Sequence, residues 1–80
     1  MLTPTQRQQI DDLGRLIPSL VAKNTVDGKL QPELFWASFS GVADSILRDV
    51  QPADRDAALQ LVRDHLLGCD LDPAQYRNSR

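Results

Sequence analysis

His65 and Cys69 are the side chains of this 80-residue chain with the most chemistry to offer, and they stand four positions apart. On one helix that spacing stacks an imidazole and a thiol on one face. Two metal ligands or a nucleophile and its base can be built that way. Neither chemistry is complete. Structural zinc takes four ligands, and the chain has one His and one Cys in all. A Cys–His dyad needs a group to orient the imidazole and donors for an oxyanion, and no glycine-rich turn accompanies the pair. Gly68 is the expected helix C-cap, which takes Cys69 off the helix. His65 shares a face with Leu61 and Leu66, so the expectation is an edge-of-core histidine bonded to a backbone carbonyl. Asp11 and Asp12 form the closest carboxylate pair, on the solvated side of a helix. With no phosphate-binding glycine loop either, the chain is expected to have no catalytic residue, no metal site and no cofactor.

Two short stretches resemble known sites. Asp27-Gly28-Lys29-Leu30 resembles the middle of a calcium-binding EF-hand loop. Aligning Gly28 with that family's invariant glycine puts Lys23 first, Thr25 third, Asp27 fifth and Leu34 last. Calcium needs an oxygen ligand first and a bidentate carboxylate last; here a cation and an aliphatic residue stand there, and Glu33 is one position early. The expectation is a plain Asp-Gly turn. Asp44-Ser45 followed by Ile46-Leu47 resembles the Asp-Ser-Leu attachment site of acyl carrier proteins. In that family the serine opens a helix after a long loop, whereas Ser45 falls well inside the strongest helical pattern of this chain. Ser45 is explained here as a small interface residue.

The element that must position everything else is Pro32–Val50, PELFWASFSGVADSILRDV, which holds both Phe and the single Trp. Pro32 suits the first turn of a helix, and Glu33 suits the positive end of its dipole. Phe35, Phe39, Val42, Ala43, Ile46 and Val50 recur at helical steps and predict the buried face, with Trp36 and Leu47 beside it. Ala37, Ser40, Asp44 and Arg48 fall opposite, with Asp44 and Arg48 spaced for an ion pair. Ser38, Gly41 and Ser45 form a line of small residues that lets another backbone come close.

Upstream, Thr3-Pro4-Thr5-Gln6 has the form of a capping box. Ile10, Leu13, Ile17, Leu20 and Val21 mark one helix face, with Arg7–Asp11 and Asp11–Arg15 as pairs on the wet side. Pro18 removes the bond to the Gly14 carbonyl, so a kink or a break is expected there. Asn24 to Gln31 reads as a connector, its flanking runs too short for a hairpin, with Leu30 reaching the core. Downstream, Gln51-Pro52 stops the central helix and Pro52 opens a third. Ala58, Leu61, Val62, His65 and Leu66 lie on its inner face, with Leu59 at the border. Asp72-Pro73 starts a short turn reaching about Arg77, Leu71 and Tyr76 fold back over the core, and Asn78 to Arg80 fray. The fold class is therefore all-α: one domain over 1–80, a small bundle of three main helices near 4–23, 32–50 and 52–67, with a short C-terminal helical turn.

Composition narrows the function. A formal net charge of −2 has the wrong sign for a protein held by phosphate contacts. The third helix sets Arg55 and Arg63 beside Asp54, Asp56 and Asp64, which repels a nucleic-acid backbone. A lone cysteine favours a reducing compartment. The polar start lacks a signal-peptide pattern, and no apolar run approaches the length of a membrane span. The expectation is a cytoplasmic, non-catalytic interaction protein, such as an inhibitor, adaptor, antitoxin or immunity-type partner. Its candidate partner-binding residues are Trp36, Ser38, Gly41, Ser45 and Leu47. A homodimer is one way for so short a chain to enlarge its core. The alternative is a dimeric, nucleic-acid-associated regulator with a composite basic surface.

Overall fold

The computed structural model describes residues 1–76; the expected end of the terminal turn at Arg77 and the fraying of Asn78–Arg80 lie outside them. Three α-helices and a small two-stranded sheet make up the fold: α1 (Pro4–Lys23), β1 (Thr25–Val26), β2 (Lys29–Leu30), α2 (Pro32–Arg48) and α3 (Arg55–Gly68). Short 3₁₀ turns at Pro52–Asp54 and Pro73–Gln75 precede and follow α3. α1 packs against both α2 and α3.

The start of α1 is the expected capping box. Gln6 N–H donates to Thr3 Oγ1, and Thr3 N–H donates to Gln6 Oε1, each at 3.1 Å. Gln6 also donates through Nε2 to the Asp49 carbonyl at 2.9 Å. One side chain thus fastens the beginning of α1 to the end of α2, where carbonyls lack intrahelical partners. α1 then runs unbroken through Pro18, which corrects the expected break. Ile10, Leu13, Ile17 and Leu20 are its buried residues.

The connector is a hairpin, contrary to expectation. Thr25 pairs with Leu30 and Val26 with Lys29, antiparallel. Asp27 and Gly28 take φ of 53° and 77°, the left-handed pair that a two-residue type I′ hairpin turn requires and Asp-Gly favours. Strands this short carry no alternation to detect; the dipeptide was the signal. Gln31 N–H closes the loop on the Asn24 carbonyl at 2.7 Å, and Leu30 packs on the core from the second strand.

The buried line of α2 is Phe35, Phe39, Ala43 and Leu47, with Val50 just beyond its end. Residues four apart drift about 40° round a helix, so this line is turned towards Trp36 and away from Val42 and Ile46. Tyr76 is fully buried, its ring edge-on to Phe39 with centroids 5.2 Å apart. Its hydroxyl donates to Asp44 Oδ1 at 2.8 Å. The C-terminal turn thereby covers α2 at Phe39 and Asp44, on the side that local periodicity left open.

α3 is turned similarly: Ala58, Leu59, Val62 and Leu66 are buried, while Leu61 and His65 stand at the edge. Its end is built on Asp70, not on Gly68 as expected. Asp70 has φ 58°, its N–H reaches the Leu67 carbonyl at 3.1 Å, and Leu71 N–H reaches the Leu66 carbonyl at 3.0 Å. These two bonds form a Schellman motif. Asp72 then accepts from Ala74 N–H at 3.0 Å and starts the last turn.

Candidate partner interface

The structure places His65 and Cys69 in separate structural roles. Cys69 is the C-cap of α3, half-buried against the core. His65 lies across the groove between α3 and α1, its Nε2 3.4 Å from Asp11 Oδ1. Its ring covers Gly14 so closely that a Cβ there would sit 2.3 Å from Nδ1. The expected backbone-carbonyl partner is therefore replaced by a carboxylate, and Asp11 turns out to be an inter-helix residue. Asp12 stays in solvent, accepting from Gln8 Nε2 at 2.9 Å, with Arg15 Nη1 3.9 Å away. Among the described residues, no three His, Cys, Asp or Glu side chains converge as a metal site would require. The single buried charged side chain among them is Asp54, contacted by the Met1 amine. No helix among the described residues is long and apolar enough to cross a membrane.

The five candidate partner-binding residues divide. Leu47 is 2% exposed and belongs to the core, which removes it from any interface. Trp36 is half-buried, edge-on to Phe35 and Phe39 at centroid distances of 4.8 and 5.6 Å. One side of the indole packs on the core while the other lines an open groove with Glu33, Ser40, Asp44 and Gln75. Ser38, Gly41 and Ser45 are all exposed, and a Cβ at Gly41 would meet no atom within 4 Å.

Two residues missed as surface residues join that side of α2. Leu34 is 57% exposed and Val42 37%. Val42 also borders an apolar groove between α1 and α2, shared with Leu13, Leu16 and Ile46 and edged by Gln9 and Asp12. Leu34 was detectable as the one large aliphatic on the wet side of the pattern. Val42 was not, because the buried line of α2 runs through Phe35, Phe39, Ala43 and Leu47 and leaves Val42 at its edge.

The charges on this side are few. The side chains of Glu33 and Arg48, in the first and last turns of α2, make no hydrogen bond or ion pair among the described residues. Arg48 is thus not paired with Asp44 as the sequence spacing suggests. Comparisons with protein families, with curated protein sequences and with solved structures find no match for this chain.

Proposed function

We propose that the chain is a small, non-catalytic, cytoplasmic interaction module, of the inhibitor, adaptor, antitoxin or immunity type, acting through an apolar helical surface. The observation that carries this reading is the strip of α2 that bears exposed Leu34 and Val42 and the apolar groove that Val42 shares with α1. Leu34 and Val42 stand exposed, and Val42 lines the groove with Leu13, Leu16 and Ile46. Exposed apolar side chains scattered singly mean little; gathered on one side of one helix and beside a groove, they mark a protein contact. In this reading the three helices act as one small bundle, bent at Pro18, which holds the strip rigid.

Purification of the tagged chain from its native host tests the proposal. A stoichiometric protein partner, whether a host protein or an untagged copy of this chain, is expected with the wild type. It should be lost with Val42→Asp, whose exposed position leaves the melting temperature near the wild-type value. Recovery of the same partner by the Val42→Asp variant, or no partner with either, overturns the reading.

A further inference from the structure

Gly41 lies in the middle of α2, where glycine weakens a helix, and nothing among the described residues requires it: none of them comes within 4 Å of a Cβ placed there. Exposed Leu34, Ser38, Ser45 and Val42 surround it. These residues make a shallow face of small and aliphatic side chains against which a second helix could lie at close range.

The charges on its border say which helix. Glu33 and Arg48 are fifteen positions apart, which is about 22 Å along the axis and only about 60° round it. They therefore stand at opposite ends of one edge of the face, with Asp44, which accepts from the Tyr76 hydroxyl, on the same edge between them. Asp49, the next residue, lies about 100° further round and off that edge. A two-fold axis relating two antiparallel helices keeps each edge on its own side and exchanges the ends. Such an axis near Gly41 sets Glu33 of each helix opposite Arg48 of the other, at both ends at once, and opposes the two helix dipoles.

We infer that this face binds a second copy of the chain, α2 against α2 and antiparallel, centred on Gly41 and closed by two Glu33–Arg48 ion pairs between copies. The inference rests on reading this surface as a protein interface and adds its occupant.

Sedimentation equilibrium up to ~1 mM, with charge-exchanged variants, tests it. The wild type should dimerise. Glu33→Arg and Arg48→Glu should each weaken the dimer by about tenfold, because both ion pairs become repulsions. An equimolar mixture of the two variants should recover association. In the mixed dimer the arginine introduced in one variant faces the glutamate introduced in the other, and the unaltered Arg48 of the first faces the unaltered Glu33 of the second. Both substitutions are at exposed positions, and circular dichroism should show unchanged helicity. Gly41→Leu has room in the monomer and should abolish the dimer. A monomeric wild type, a dimer that survives Gly41→Leu, or a mixture no tighter than either variant alone overturns the inference. If the wild type is monomeric but Val42→Asp still loses a host partner, only the second copy is excluded and the interface reading stands.

Discussion

Gly14 and Gly41 occupy corresponding places, each in the middle of a long helix, and their surroundings are opposite. A Cβ on Gly14 would run into the His65 ring at 2.3 Å, whereas one on Gly41 would meet nothing within 4 Å. The first glycine is explained by packing inside the chain: α3 lays His65 across α1 and needs the room. The second has no such explanation among the described residues. The contrast extends to the two sides of α2. One is finished by the chain itself, with Phe39 under the buried Tyr76 ring. The other, with Leu34 and Val42 in water, has nothing of the described chain laid over it.

The largest expected effect tests the finished side. Phe39 is fully buried and touches the rings of Phe35, Trp36 and Tyr76. Phe39→Ala should cost about 3–5 kcal/mol in urea unfolding, enough to unfold most of a domain of this size. Val42→Ala on the open side should cost below about 1 kcal/mol. Equal costs for the two would erase the distinction between the sides.

An intermediate effect is expected at Gly14. Gly14→Ala should destabilise by about 1–2 kcal/mol, because the added methyl displaces His65 and its contact with Asp11, and this outweighs the better helix propensity of alanine. In a His65→Ala background the sign should reverse to a gain of up to ~1 kcal/mol. The cycle therefore isolates the contact between the two residues. A loss of the same size in both backgrounds would place the strain somewhere other than His65.

The sequence disclosed the parts of this molecule whose causes are local. The capping box needs only Thr3, Pro4 and Gln6, the three helices need only their apolar rhythm, and the last turn needs only Asp72 and Pro73. What stayed hidden depends on residues far apart in the chain. Tyr76, some thirty positions away, packs on Phe39 on the side of α2 away from Val42, and its hydroxyl on Asp44 has no sequence signature. Asp11 looked like a solvated charge because its partner, His65, is on another helix. The hairpin was missed for the opposite reason: the local signal, Asp27-Gly28, was present, but two-residue strands are too short to support it by alternation. At the candidate interface, Gly41, Ser38 and Ser45 were identifiable as small and outward, while Leu47 was misplaced because it lies on the buried line of α2.

The smallest effect is the most discriminating, because it has a sign and a concentration dependence. Gly41→Ala should stabilise the isolated chain by about 0.5–1 kcal/mol, since the methyl enters open space and the unfolded backbone loses freedom. That gain is expected in dilute solution, where no second molecule lies on α2. If a helix of another copy approaches Gly41 closely, the methyl intrudes at the point of contact, and the gain should shrink or invert as protein concentration rises. A loss of stability already at high dilution would mean that Gly41 is covered within its own chain, and the contrast with Gly14 would fail. A gain that is constant at every concentration would keep the contrast but leave Gly41 in water, and the partner of α2 would have to rest on Leu34, Val42 and the groove beside them.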